Sequence, residues 1–233
     1  MSGPINGMKQ AASAMRYLER RQEVVANNLA NVDTHGFKGE RVFARMLGDG
    51  MGPVADTTTD RRAGALKQTG APLDIAIGGE GFLVVETPQG ERLTRGGSFR
   101  LDDEGRIVDP RGNFLLSEGG PLTVQGGTVE VDSAGKILVD GREIGTLRVE
   151  DVPPGSELLH EEGTLFLATE PTASVADGDR RIRQGHLEDS NVSSIDSLVD
   201  MISIQRAYSA AQKTMVTLDD IRGTIANELG KPV

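Results

Sequence analysis

The sequence predicts an α+β protein, in which a long helix at each end of the chain flanks a central, glycine-rich antiparallel β domain. Both ends carry apolar residues at alternating spacings of three and four, whereas the middle carries short apolar runs separated by turns. Glycine makes up 30 of the 233 residues. Because glycine supplies the positive φ that tight turns need, this content favours many short strands. We expect the two terminal helices to meet and form a coiled-coil domain.

The N-terminal helix is predicted from about residue 5 to residue 35. Its apolar seam has one polar break, at Gln22, and consists of Met8, Ala11, Met15, Leu18, Gln22, Val25, Leu29 and Val32. Three asparagines, Asn27, Asn28 and Asn31, surround the last turns of this seam. A buried asparagine fixes the register of a helix among its partners, so these residues are candidate assembly contacts. Simple fraying of the helix end is the alternative interpretation.

Gly36 and Phe37 are predicted to stop this helix. With Gly36 in the left-handed conformation after the last turn, Phe37 and Val32 would form the apolar contact of a Schellman motif. The following residues, 37–70, are polar and weakly patterned, which indicates a linker or an extended arm.

The middle of the chain, residues 71–184, shows the pattern of an antiparallel β domain. "LDIAI" alternates in polarity, "GGEG" is a turn, and "FLVVE" continues as a strand. Later units repeat this arrangement around predicted turns at Gly90, Gly105, Gly112, Gly135 and Gly141.

The C-terminal region, residues 185–233, contains a second long helix, predicted from Ser194 to Leu229. Ser193 can cap its start, with Asp196 placed as in a capping box. The seam consists of Met201, Ile204, Tyr208, Ala211, Met215, Leu218, Arg222 and Ile225. Further apolar residues lie beside the seam, so the apolar surface is wider than one partner helix requires; these are Ile195, Leu198, Val199, Ile202, Val216 and Ile221.

Composition and motifs indicate a protein without catalytic chemistry. The 25 basic and 35 acidic residues give a net charge of −10, which disfavours binding to nucleic acid. The chain has no cysteine, and its three histidines do not have the spacing of metal ligands. We therefore expect no catalytic residue, no cofactor and no metal. A soluble enzyme or ligand-binding β domain with helical oligomerisation arms remains the alternative from another class.

Three blocks of the sequence resemble the rod and hook proteins of the bacterial flagellum, the axial family. They are "ANNLANVDTHGFK", "TGAPLDIAIGGEGFLVVETPQGERLTRGGSFRLDDEGRIVD" and "QGHLEDSNVSSIDSLVDMISIQRAYSAAQKTM", and they keep the order in which the family has them. The resemblance covers both ends and the start of the β domain.

The resemblance implies a structural subunit of the basal-body rod that assembles through its terminal helices and transmits motor torque to the hook and filament. Its partners would be copies of itself, other rod proteins and the flagellar type III export apparatus, with no insertion into the membrane. It would lie in the rod within the cell envelope, in the periplasmic space, after export without a cleaved signal peptide. The N-terminus, which lacks a continuous apolar segment, agrees with such export.

The same resemblance implies which residues form the assembly interface. They lie on both seams and in the asparagine cluster: Met15, Leu18, Val25, Asn27, Asn28, Leu29, Asn31, Val32, Met201, Ile204, Tyr208, Ala211, Met215, Leu218 and Ile225. The short chain favours a proximal rod subunit, with a distal rod subunit as the alternative. A hook protein would need a larger outer domain than this chain can form.

Overall fold

A computed structural model describes residues 4–46 and 53–229, with side chains described from 7 to 45 and from 53 to 224. The chain forms two compact units. The first contains Met1–Ala30, Glu40–Thr58 and Ser193–Val233, and the second contains Asn31–Gly39 and Thr59–Val192. Helices at both ends and a large antiparallel sheet between them confirm the α+β class.

The first unit is built from two helices and a small sheet. Helix α1 spans Pro4–Ala30 and helix α2 spans Ser194–Leu229. Strands β1 (Glu40–Met46) and β2 (Pro53–Thr59) pair with each other, and β1 packs against α1. None of the described helices is long and apolar enough to cross a membrane.

The predicted start of α2 is confirmed. The backbone N–H of Asp196 donates to Ser193 Oγ at 3.3 Å, which is the hydrogen bond expected of a capping serine. The predicted helix range, Ser194 to Leu229, is also the observed one.

The second unit contains the remaining strands, which are short. Their bounds are β3 Leu66–Gln68, β4 Ile75–Ile77, β5 Phe82–Thr87, β6 Gly90–Thr94, β7 Arg100–Leu101, β8 Ile107–Val108, β9 Phe114–Ser117, β10 Gly120–Pro121, β11 Val129–Val131, β12 Lys136–Val139, β13 Arg142–Thr146, β14 Val149–Asp151, β15 Leu158–His160, β16 Leu165–Ala168, β17 Ala173–Ser174, β18 Ile182–Gln184 and β19 His186–Glu188.

Ten of these strands form one sheet with the order β15-β16-β6-β5-β9-β8-β7, to which β10, β14 and β17 add at the side. Strands β11, β12 and β13 form a second sheet, while β18 pairs with β4 and β19 pairs with β3. All the recorded pairings are antiparallel.

Strand β5 lies at the centre of the second unit because both of its faces are buried. Leu83 and Val85 point into one apolar cluster, and Phe82 and Val84 point into another. Successive side chains of a strand point to opposite faces, so this strand separates two cores. Its sequence, "FLVVE", is a continuous apolar run for that reason.

The predicted turn glycines are confirmed. Gly90, Gly105, Gly112, Gly135 and Gly141 all have positive φ. At Gly105 the close approach of the chain adds a second requirement, since a Cβ there would lie 2.4 Å from the carbonyl oxygen of Val124.

The structure differs from the sequence-based expectation at two places. Helix α1 ends at Ala30 rather than near residue 35. The segment 37–70, expected to be a linker or an arm, contains β1, β2 and β3. Strand β3 pairs with β19 from the far end of the second unit, so its partner could not be recognised from local sequence.

Candidate assembly surface

The predicted seams face each other inside one chain. Tyr208 donates a hydrogen bond from its hydroxyl to Glu19 at 2.9 Å, and Arg21 pairs with Asp200 at 3.3 Å. Near the other end, a Cβ on Gly7 would lie 3.5 Å from Leu218 Cδ1. Residue numbers rise along α1 while those of their partners fall along α2. The two helices are therefore antiparallel neighbours.

Burial along α2 runs along its apolar seam, whereas on α1 it also includes Val24 and Ser13, which are 3% and 6% exposed and lie outside the predicted seam. Ile204 is 1% exposed and Val25 is 8% exposed. The other apolar seam residues with described side chains are half-buried: Met8, Ala11, Met15, Leu18, Leu29, Val32, Met201, Tyr208, Ala211, Met215 and Leu218. The polar seam positions, Gln22 and Arg222, are exposed. The side chain of Ile225 lies outside the described residues. In a single chain, the seam residues serve the contact between α1 and α2.

A second apolar face of α2 is exposed. It consists of six side chains that are between 46% and 72% exposed: Ile195, Leu198, Val199, Ile202, Val216 and Ile221. We call this set the outer stripe. At about 100° per residue, its first four members lie on one side of the helix, roughly opposite the seam. Along the described part of α1, by contrast, no large apolar side chain is exposed.

Asn28 has a role inside the chain that the sequence did not reveal. Its side-chain amide donates to the carbonyl oxygen of Glu40 at 2.8 Å and accepts the Glu40 N–H at 2.9 Å. Both backbone groups at the start of β1 are thereby satisfied by one side chain. Asn28 thus fixes β1 to the end of α1. Asn31 accepts a hydrogen bond from the Thr34 hydroxyl, and Asn27 is exposed.

The turn at Gly36 is not the predicted Schellman cap. Gly36 has the expected positive φ of 76°, but its N–H donates to the carbonyl oxygen of Glu188 at 2.6 Å. The N–H of Phe37 donates to Thr34 and not back to Val32. A Cβ on Gly36 would lie 2.2 Å from the carbonyl oxygen of Arg95, so the chain approaches too closely for any other residue.

Beyond this turn, the second unit contains a buried charge cluster formed by Lys38, Arg95 and Glu188. The exposed fractions of these side chains are 0%, 5% and 1%. Lys38 Nζ lies 2.5 Å from one Glu188 oxygen, and an Arg95 nitrogen lies 3.0 Å from the other. Burial lowers the pKa of Lys38 despite the neighbouring Glu188 carboxylate, which acts in the opposite direction.

Three aromatic side chains, Phe37, His160 and Phe166, pack together next to the buried charge cluster. Phe37 is fully buried and makes an edge contact with His160 at 5.3 Å between ring centres. His160 in turn contacts Phe166.

Sequence reasoning missed the charge cluster, although two of its members stand in the motifs "HGFK" and "GHLED". Their burial depends on residues far away along the chain, for which no local signal exists.

A cleft of 870 Å³ on the second unit is lined by several arginines, among them Arg61, Arg62 and Arg95. Two of its arginines are held by structural contacts: Arg61 donates to the carbonyl oxygens of Val152, Pro153 and Ser156, and Arg95 binds Glu188. The pKa of Arg62, which also lines the cleft, is raised by its hydrogen bond to Asp60. Neither of these arrangements provides a general acid or base.

Comparisons with known proteins agree with the geometry of a structural protein. Residues 8–38 match the family described as "Flagella basal body rod protein", residues 76–139 match "Flagellar hook protein FlgE/F/G D1 domain", and residues 183–229 match "Flagellar basal body rod FlgEFG protein C-terminal".

Several curated proteins are similar over most of their length. The "Flagellar basal-body rod protein FlgF" of Caulobacter vibrioides is 35% identical, over 97% of this chain and 98% of the relative. FlgF of Rhizobium meliloti is 32% identical over 87% and 88%. The "Flagellar basal-body rod protein FlgG" of Bacillus subtilis is 28% identical over 96% and 98%. The chain therefore belongs to the family of flagellar basal-body rod proteins, which are structural proteins and not enzymes.

Proposed function

We propose that this protein is a FlgF-type subunit of the proximal rod. The similarity to FlgF of Caulobacter vibrioides and of Rhizobium meliloti, each over most of both chains, supports this assignment. The subunit would join copies of itself and other rod proteins in the periplasmic part of the basal body. It would reach that place through the flagellar type III export apparatus and would transmit torque from the motor.

In the proposed arrangement the terminal helices form the inner coiled-coil domain of the subunit. The ranges predicted from the sequence are 1–36 and 185–233 for the coiled coil, 37–70 for the arm and 71–184 for the β domain. Within the first two ranges the helices themselves are Pro4–Ala30 and Ser194–Leu229. The antiparallel contact between α1 and α2 supports the pairing of the ends.

The outer stripe of α2 is the observation that supports assembly most directly. A monomer rarely exposes a contiguous group of large apolar side chains unless it binds another molecule there. The α2 seam contacts α1, whereas no described residue covers the outer stripe. We infer that seam residues hold the helices of one subunit together, and that the outer stripe contacts the helices of neighbouring subunits.

Aspartate substitutions in the outer stripe test the proposal. Val199→Asp and Ile202→Asp place a charge where an assembled rod would exclude water, at a cost of several kcal/mol per subunit. Both positions are exposed in the monomer, so each variant should fold and accumulate. In a strain without the native copy, we expect loss of the rod in purified basal bodies and loss of swimming.

The matched control is Ala207→Asp, which adds the same charge at an exposed position of the same helix outside the outer stripe. This variant should swim. Normal flagella built from Val199→Asp and Ile202→Asp would show that the outer stripe is not an assembly surface.

A distal rod subunit is the second candidate, because FlgG of Bacillus subtilis matches 96% of this chain. Complementation separates the two. The gene should restore swimming to a strain that lacks its FlgF and should fail in a strain that lacks its FlgG. The reverse result would assign the protein to the distal rod.

A further inference from the structure

Two segments of the second unit meet at the buried charge cluster, and each contributes one of its charges. The N-side segment, residues 35–39, carries Lys38. The C-side segment, residues 186–191, carries Glu188. These segments lie at two of the four places where the chain passes between the units, since the first unit resumes at Glu40 and at Ser193.

The hydrogen bonds of the N-side segment go largely to the C-side segment. Gly36 donates to the Glu188 carbonyl at 2.6 Å, and the Gly39 N–H donates to the Asn191 side chain at 2.8 Å. Lys38 donates to the Glu188 carboxylate and also to the carbonyl oxygen of Arg62 at 2.8 Å.

The C-side segment, by contrast, has partners of its own. Strand β19 pairs with β3 along its whole length. The Asp189 N–H donates to Ala65 at 2.8 Å, and the Glu188 carboxylate accepts the Gly64 N–H at 2.8 Å. These contacts do not involve the N-side segment.

Removing Lys38 and removing Glu188 also have unequal effects on the balance of buried charge. Without Lys38, Arg95 and Glu188 form a balanced buried pair. Without Glu188, Lys38 and Arg95 are two buried cations, and Asp60, the other carboxylate that acts on Lys38, is already bonded to Arg62. A buried charge that lacks its partner is strongly destabilising.

We propose that Glu188 makes the docking of these segments sequential: the C-side segment docks first, and the N-side segment docks only after Glu188 is in place. Synthesis runs from the N-terminus, so residues 35–39 stay undocked until residue 188 has been added. The N-side segment is therefore synthesised first but docks last.

Amide hydrogen exchange of the full-length protein, followed by NMR, tests this order. In Glu188→Gln, the amides of Gly36 and Gly39 should exchange at least ~100-fold faster, because docking of the N-side segment would bury Lys38 beside Arg95 without the Glu188 carboxylate. The Asp189 amide should change by less than about tenfold. Adding Lys38→Met to this variant removes one cation and should restore most of the protection at Gly36 and Gly39.

Phe37→Ala tests the asymmetry without changing charge. It removes the buried ring that anchors the N-side segment, so Gly36 and Gly39 should lose protection while Asp189 keeps it. Equal loss at all three amides would overturn the proposal, as would unchanged protection of Gly36 and Gly39 in Glu188→Gln. If Glu188→Gln does not fold, retained protection of Asp189 in Phe37→Ala supports the order and its loss refutes it.

Discussion

Replacing Ile204 by alanine should destabilise the helix pair, whereas the same replacement at Ile202 should not. Ile204 is 1% exposed in the seam, and Ile202, on the outer stripe of the same helix, is 52% exposed. Each change removes three carbon atoms and gains the same helix propensity, so the propensity effect cancels between the variants. At ~0.8 kcal/mol per buried carbon, the loss at Ile204 is about 2.4 kcal/mol. A residual cavity raises it to roughly 3–4 kcal/mol.

Urea unfolding followed by far-ultraviolet circular dichroism measures this difference, because the helices dominate that signal. The protein must be dilute, since self-association would stabilise the folded state by mass action. We expect Ile204→Ala to lower the free energy of unfolding by roughly 3–4 kcal/mol, and Ile202→Ala by less than about 1 kcal/mol.

Ile202→Ala should affect assembly more than it affects the stability of the monomer, because a neighbouring subunit would cover Ile202 in the assembled rod. Co-expression with the native gene, followed by quantification of each form in purified basal bodies, should show stronger exclusion of Ile202→Ala than its monomer stability explains. Equal destabilisation of the monomer by both variants would refute the assignment of a seam and an outer stripe to opposite sides of α2.

Three further predictions concern the remaining features. Thermal unfolding should show that Gly36→Ala lowers the free energy of unfolding by roughly 3 kcal/mol or more, because a Cβ at this position meets both an unfavourable φ and the Arg95 backbone. Gly70→Ala is the control, since Gly70 has the same φ of 76° but nothing within 4 Å of its Cβ position. This control should cost only ~1–2 kcal/mol. Burial lowers the pKa of Lys38 in the folded chain below its ordinary 10.5. At a pH between the lowered pKa and 10.5, the unfolded chain therefore binds one proton more than the folded chain. In urea unfolding, the free energy of unfolding of the native protein minus that of Lys38→Met should therefore rise with pH across that interval. A difference that does not change with pH would contradict the lowered pKa of Lys38. Leu29→Asp and Leu218→Asp place a charge in the seam and should abolish the rod and swimming while the β domain stays folded, whereas Asp103→Ala in an exposed turn should swim.

Local signals were sufficient where the structure is decided locally. Helix α2 begins at its capping serine and ends where its pattern ends, and the predicted turn glycines have the required φ. Helix α1 shows the limit of such signals. Its apolar spacing continues beyond Ala30, but Phe37 is buried in the second unit and Gly36 bonds to Glu188. These distant contacts end the helix earlier than its own sequence indicates.

The buried charge cluster could not be predicted for the same reason. Lys38 and Glu188 are 150 residues apart in the chain, and lysine and glutamate are usually exposed. Nothing in the spacing of either motif distinguishes this pair from solvated charges. Its position next to two of the four connections between the units is visible only once the strands β3 and β19 are paired.

The two apolar faces of α2 could be recognised from the sequence, but the partner of each face could not, and the reason is physical. Apolar periodicity indicates which face of a helix is buried, but it does not indicate whether the partner belongs to the same chain. Two apolar faces on one helix therefore permit two assignments. The contact of the α2 seam with α1 settles the first face, because those residues already have a partner within the subunit. In our proposal the outer stripe is the apolar surface left for neighbouring subunits, and the substitutions at Val199 and Ile202 test its contribution separately from the stability of the subunit itself.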